Sequence, residues 1–351
     1  LGINCVIWVV ILCYAFFFWF MKWTRTGRMI YAVGSNASAA EVSGINVKNI
    51  KLLVYVIMGR SGRFFGGALQ VSVYASAMPD MQYGGEMDVI AACVIGGVSM
   101  SGGRGSVLGA LFGSLILATI AKALPLIPFF DQLWLNTIKG LIILIVVVMN
   151  VVLQRVAEQK CTERKGDVIM AGKSGRSINN VPESSVKRMI FSWEGILVLI
   201  FIAVNIFCAM FSEFYNISSL LRQMPVYLAE VFLMLPMAYI LVLGEIDISV
   251  GSIVCLSATM CCIVCNMNAP FIVVVLTGLA VGTVCGAING LILTKFTELP
   301  PMIVTLATQI IFRGIARSFW EAAEVLPCQI WMASLPLQER WDRFPIFCFW
   351  L

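Results

Sequence analysis

The chain is a succession of apolar runs long enough to cross a membrane, separated by short polar stretches, and that pattern leaves few folds open. A helix of about 20 apolar residues covers the ~30 Å of hydrocarbon in a bilayer. Leu1–Phe20 is the first such run, and others lie near 51–78, 88–100, 107–123, 133–153, 191–211, 224–243, 252–269, 271–293 and 302–316. Lipid offers backbone amides no water, so runs of this length cross it as helices. The pattern predicts an all-α, polytopic integral membrane protein with about nine or ten transmembrane helices, the 88–100 piece deciding the count. Composition excludes a soluble domain: 60% of residues are hydrophobic and 12% charged, where soluble domains carry roughly a quarter charged. Leu1–Phe20 lacks the basic lead-in of a signal peptide, since Lys22, Arg25 and Arg28 follow it. The first residue is not Met, which predicts that the start of the chain is missing.

Basic residues set the orientation, because short cytoplasmic loops are rich in Lys and Arg. Lys22, Arg25, Arg28, Lys48 and Lys51 place the first loop inside. Asp80, Glu86 and Asp88 have no basic neighbour in sequence and suit an outer loop, and Arg155, Lys160, Arg164 and Lys165 return the chain inside. Inner loops account for the net charge of +5, so nucleic acid is not an expected partner. Most of the 12 cysteines lie in apolar runs, as Cys255, Cys261, Cys262, Cys265 and Cys285 do, and read as small hydrophobes. Cys262 and Cys265 have CxxC spacing, but without a second pair or any His no metal is expected.

Four regions follow. Residues 1–155 and 191–316 are hydrophobic blocks of similar size, joined by a basic linker over 156–190 with Gly, Ser, Asn and Pro and no apolar periodicity. The linker contains Met170, a candidate start for a second protein. Residues 317–351 form an atypical tail with Trp320, Trp331, Trp341 and Trp350, read as an aromatic belt or as the product of a shifted frame.

Several polar stretches interrupt the blocks. Gly244-Glu-Ile-Asp-Ile-Ser-Val-Gly-Ser252 sets Glu245 and Asp247 between two long apolar runs. A carboxylate at the bilayer centre costs roughly 2.5–3.5 kcal/mol, so such groups face a protein interior or an aqueous path. Asp247 or Ser249 is suited to cap the amides of the next helix, and a polar turn at the membrane surface is the plainer alternative. In Gly34–Val47, Ala39, Ala40 and Glu41 fall in about two helical turns stopped by Gly44, either docking on a partner or lying along the surface. Gly96–Ser106, with Gly102, Gly103, Arg104 and Gly105, lacks the Gly-Lys-Ser/Thr ending of a phosphate loop. Close backbone packing at a helix break explains it better. Asn289–Ala307 reads as an inner interface at Lys295 and Glu298, with Pro300 and Pro301 opening the next helix. Arg60 and Arg63 lie inside an apolar span without an evident acidic partner, and Lys139 and Glu230 sit near span ends.

Together these stretches resemble the permease subunit of ribose-type bacterial sugar ABC importers, the rhamnose and autoinducer-2 branches included. Residues 244–252 are similar to that family's Gly-Gly-Ile-Asp-Leu-Ser-Val-Gly signature, with Glu245 at its second glycine, and Leu299-Pro-Pro-Met-Ile-Val-Thr-Leu306 follows. Thr26–Gly34, Ala39–Ile45, Glu86–Ala92 and Ser101–Gly109 match as well. The resemblance implies that 36–46 is a coupling helix touching a cytoplasmic ABC ATPase, and that Asp247 lies near the substrate path. It also implies a second permease subunit, an external sugar-binding protein, a bacterial inner-membrane location and ATP hydrolysis by a separate subunit. In that family the Ile-Asp-Leu-Ser signature belongs to the N-terminal half, whereas here Ser101-Gly-Gly-Arg-Gly105 precedes it. The chain therefore resembles the C-terminal half of one permease joined to the N-terminal half of a second. The expected function is a monosaccharide permease with no catalytic residues of its own. An ion-coupled secondary transporter using Glu245, Asp247 or Glu230 is the second reading, and a non-functional fused fragment the third.

Overall fold

The computed structural model describes residues 5–63, 67, 77–78, 80, 82–123, 137, 140, 141, 144, 148, 193–211, 231–267 and 269–322. Among these residues the structure is helical and contains no strand. The expected linker, Lys139, Glu230 and the tail beyond Ala322 lie outside the described residues, as does the side chain of Arg63.

The first block opens with α1 (Cys5–Trp23), α2 (Arg25–Ser35) and the short α3 (Ala37–Val42). Side chains set the starts: Thr24 accepts the Gly27 amide to begin α2, and Asn36 accepts the Ala39 amide at 2.9 Å to begin α3. Such caps satisfy amides that have no partner inside the helix. Gly44, at φ +84°, ends α3 in the left-handed region that glycine adopts without cost. Asn46 then caps α4 (Val47–Ile57), which runs into a π-helical turn at Met58–Arg63. That turn falls inside the apolar run predicted over 51–78, and Arg60 on it is exposed. Two helices complete the described part of the block, α5 (Gly85–Ile95) and α6 (Val107–Ala123). At 11 residues α5 is too short to cross a bilayer.

The second block holds α7 (Trp193–Phe211), α8 (Val231–Val242), α9 (Val250–Asn266), α10 (Phe271–Lys295) and α11 (Pro301–Ala322). Ile272–Lys295 and Pro301–Trp320 are long and apolar enough to cross a membrane. α11 continues past the expected boundary at 316, because its last turns are held by polar contacts that an apolar-run criterion does not see.

The two blocks pack as one body. Every residue of α8 is buried, and the helix lies against α1. Tyr14 donates its hydroxyl to the Val231 carbonyl at 2.8 Å, and Tyr239 donates to the Phe17 carbonyl at 2.9 Å. The Phe17 and Tyr239 rings sit 5.5 Å apart. α4 and its π-helical turn lie against α10 at backbone distance: a Cβ on Gly59 would come within 2.2 Å of the Gly282 carbonyl, and one on Gly286 within 2.5 Å of the Tyr55 carbonyl. In lipid, where apolar burial gives helices little reason to associate, such close backbone packing and interhelical hydrogen bonds hold them.

Candidate transport site

Three glycine-bearing stretches, far apart in sequence, meet at the end of the bundle that carries α3. Gly244, at φ +78°, ends α8, and the amides of Gly244 and Glu245 turn back to the carbonyls of Leu241 and Ile240. The loop after α5 reaches the same point, where the Gly103 amide donates to the Val242 carbonyl at 2.7 Å. Gly102 and Gly103 are both left-handed, at φ +83° and +73°. Gly34, in the last turn of α2, completes the junction: a Cβ there would lie 1.8 Å from the Val242 carbonyl and 2.9 Å from the Gly103 nitrogen. Tyr31 donates to the Gly105 carbonyl at 2.8 Å, and burial pushes its phenol above the ordinary range, so it stays protonated as a donor. Arg104 is exposed beside the junction.

From this junction α3 projects outward. Ala37, Ser38, Ala39, Glu41 and Val42 are exposed, and only Ala40 is buried against the bundle. Val42 is 91% exposed, an apolar side chain left in the open.

The break after Gly244 is buried but well partnered. Lys51 of α4 forms an ion pair with the buried carboxylate of Glu245. The departure from the family signature at position 245 is thereby matched by a cation from the other block. Asp247 is completely enclosed; its Oδ1 accepts the Ser249 amide at 2.8 Å and the Ser249 hydroxyl at 2.6 Å. Ser249 itself accepts from the Asn289 side-chain amide of α10 at 2.8 Å. Asp247 therefore caps the start of α9 from two residues upstream, and Ser249 serves it as donor. Thr305 of α11 accepts the Ile248 amide at 3.2 Å, tying the break to a third helix.

Gly251, the second residue of α9, is the second place where the backbone of the break meets polar groups. A Cβ on it would lie 2.6 Å from the Gln82 carbonyl, 2.7 Å from Glu86 Oε2 and 3.5 Å from Arg313 Nη2. Glu86, read from sequence as an outer-loop acid, is buried, and Gln309 of α11 donates to its Oε1 at 2.8 Å. Arg313 lies 5.0 Å over the Tyr83 ring, and Arg317 reaches Asp80 at 3.4 Å. Asp80 thus has a basic neighbour in space and Glu86 an amide donor, both supplied by the other block. Sequence reading missed this cluster, although Thr305, Gln309, Arg313 and Arg317 recur every fourth residue along α11, the spacing of one helix face.

The structure brings Gly34, Gly102, Gly103, Gly105 and Gly244 together, and sets Glu245, Asp247 and Ser249 at the break beyond them. It leaves Ala39, Glu41 and Gly44 apart from both, on the exposed α3 segment.

The family described as "Branched-chain amino acid transport system / permease component" matches residues 2–151 and 216–329. Among curated proteins, the ribose import permease protein RbsC of Escherichia coli K12 is 35% identical over 150 residues, covering 43% of this chain and 46% of the relative. RbsC of Bacillus subtilis 168 is 38% identical over 152 residues, with the same shares. The galactose/methyl galactoside import permease protein MglC of Escherichia coli K12 is 42% identical over 129 residues, covering 36% of this chain and 37% of the relative. The chain spans about half the length, or less, of the curated relatives it matches. No solved structure matches. With the family matched over most of its length and a helical, membrane-type architecture among the described residues, the chain belongs to the branched-chain amino acid transport system / permease component family of polytopic membrane proteins.

Proposed function

We propose that this chain is the membrane-embedded permease of an ATP-binding-cassette importer for a monosaccharide in the bacterial inner membrane. The observation that carries the reading is α3, an exposed helix with an open apolar side chain, braced at its base by a junction that includes both blocks. A push on such a helix moves Gly34, the Gly102–Gly103 loop and the Gly244 break together, because their backbones touch. A cytoplasmic ATPase docking on Ala39, Glu41 and Val42 would convert its own hydrolysis of ATP into displacement of the break at Asp247. Ala40 anchors the helix to the bundle and Gly44 stops it. A second permease subunit and an external sugar-binding protein complete the assembly, and the names of the relatives, ribose and galactose permeases, support a neutral sugar as cargo.

The blocks 1–155 and 191–316 act in this reading as one permease core with its halves in exchanged order, the 156–190 stretch being a tether and 317–351 an appendage. The shared core around α8 supports one working body over two joined fragments. Ion coupling is the poorer reading, since Glu245 is matched by Lys51 and Asp247 is committed to Ser249.

Co-expression of the tagged full chain with an ABC ATPase of this transporter class tests the proposal. The chain is expected to capture the ATPase, and Val42→Asp with Ala39→Arg, both at exposed positions, to abolish capture while the chain remains in the membrane. Capture that is absent, or indifferent to those changes, sinks the assignment.

A further inference from the structure

Two of the contacts between the blocks differ in chemistry. α4 and its π-helical turn meet α10 through glycines, where backbones touch and any separation would open a void. α11 meets the 77–88 segment through side chains: Gln309 on Glu86, Arg313 on Tyr83, Arg317 on Asp80, and the Trp320 indole on the Ala77 carbonyl at 3.1 Å. Polar contacts of this kind can be exchanged for water or for a solute's hydroxyls without losing hydrogen bonds. From Thr305 at the break to Arg317 is 12 residues, a rise of about 18 Å at 1.5 Å per residue. The stripe therefore runs from the Gly244 break towards the opposite end of the bundle. α11 turns apolar side chains, Met302, Ile303, Leu306 and Ile310, outward on its remaining surface.

We propose that this seam between α11 and Ala77, Asp80, Tyr83 and Glu86 is the solute pathway, and that Glu86, Gln309 and Arg313 bind an uncharged, polyhydroxylated solute within it. The inference rests on the transport reading above and adds where the solute passes. Glu86 is the pivotal group. It is 7% exposed, its Oε1 is held by Gln309, and its Oε2 has no hydrogen-bond partner among the described residues. A buried carboxylate oxygen without a donor is costly, and a hydroxyl arriving beside it supplies the missing bond. Gly251 brings the α9 backbone against that oxygen, where even a Cβ would lie only 2.7 Å away, so a hydroxyl reaches it when the seam parts. The lining matches a neutral ligand: one carboxylate and one guanidinium cancel, while an amide and a phenol offer donors and acceptors for vicinal hydroxyls. Polar groups inside a membrane protein mark such paths. Asp247, the carboxylate that sequence reading favoured, has no access to solute in this arrangement.

The test is calorimetric titration of the full chain in lipid nanodiscs with D-ribose and with D-galactose, alongside the deoxy sugar, sugar acid and amino sugar of each. The wild-type chain is expected to bind at least one neutral sugar and to prefer it over its deoxy and charged counterparts. Glu86→Gln is expected to weaken binding about tenfold or more and to flatten the preference over the deoxy sugar, since a bond to a charged group is lost. Gln309→Leu, which releases Glu86, gives the same direction by a separate substitution, and Ser318→Ala on the exposed face leaves binding unchanged. A wild type that binds none of the neutral sugars, a tighter complex with the sugar acid, or full retention of affinity and preference in both variants overturns the seam. Capture of the ATPase by a chain that fails these titrations would leave the transport reading standing and remove the seam alone.

Discussion

Replacing Gly34 by Ala should destabilise this protein far more than the same change at Gly44 or Gly314, and the structure gives the size. The added methyl would sit 1.8 Å from the Val242 carbonyl oxygen, where ordinary contact begins at 3.4 Å, so α2 and α8 must part by about 1.6 Å. That movement stretches the 2.7 Å bond from the Gly103 amide to the same carbonyl beyond 4 Å, outside hydrogen-bond range. Overpacking alone costs ~1–3 kcal/mol, and leaving a buried backbone pair unmatched adds ~1–3 kcal/mol. The total, about 2–6 kcal/mol, is a large share of a typical domain's ~5–15 kcal/mol. The two other glycines serve as internal controls. Gly44→Ala meets nothing within 4 Å and pays only for a left-handed backbone at φ +84°, ~1–2 kcal/mol. Gly314→Ala also meets nothing and lies within α11, so the better helix propensity of Ala, up to ~1 kcal/mol, makes it neutral or stabilising. Thermal unfolding in detergent followed by size-exclusion profile ranks the three. A Gly34→Ala midpoint at or above that of Gly44→Ala would refute the reasoning that the junction is set by backbone contact.

Lys51→Ala leaves the Glu245 carboxylate buried without its cation, and a loss of about 3–5 kcal/mol is expected; Lys51→Leu combined with Glu245→Gly should recover much of it, measured by the same unfolding assay. Tyr14→Phe and Tyr239→Phe each remove one hydrogen bond between the blocks, so each is expected to cost ~0.5–1.5 kcal/mol. Their separate anchors, on Val231 and Phe17, predict near-additive effects in the double variant. Residues 1–155 and 191–351 expressed as two chains should co-purify from membranes without a covalent tether, and independent migration of the two would contradict a common core.

Helix existence was legible in the sequence because the bilayer fixes helix length: the runs at 107–123 and 271–293 became α6 and α10 with nearly the expected bounds, and the run at 302–316 became α11, which continues past the expected end to Ala322. What hydropathy could not show was a polar residue inside a helix that faces a neighbour. Arg313 and Arg317 weaken the apolar average of α11 and so suggested an early end, although their contacts with Tyr83 and Asp80 hold that end in place. The break at 244–252 was legible as a break, since glycines and a pair of carboxylates are both costly in the middle of a helix that lipid surrounds. Its chemistry was not. Whether Asp247 faces a path or a serine two residues away depends on χ angles, and whether Glu245 is tolerated depends on Lys51, nearly 200 positions distant. Similarly, the Gly102–Gly103 loop signalled close backbone packing, but no local pattern says against what.

The order of the blocks need not decide whether the fold forms. The contacts that join them, Tyr14 to Val231, Tyr239 to Phe17, Gly59 to Gly282 and Gln309 to Glu86, are fixed by surfaces that the chain can bring together from either direction. What order changes is the length of chain closing each contact, and closure entropy grows slowly, by ~0.6 kcal/mol for each doubling of a flexible loop. That increment is comparable to one tyrosine hydrogen bond between the blocks. A tether such as 156–190 is therefore a small term beside the packing of α8, whose buried side chains include Tyr239 against Phe17 of the other block. A pair of unrelated fragments would leave α8 facing lipid and Lys51 without Glu245. The pairing of a residue that departs from the family signature with a lysine in the opposite block argues that the two were shaped against each other within one body.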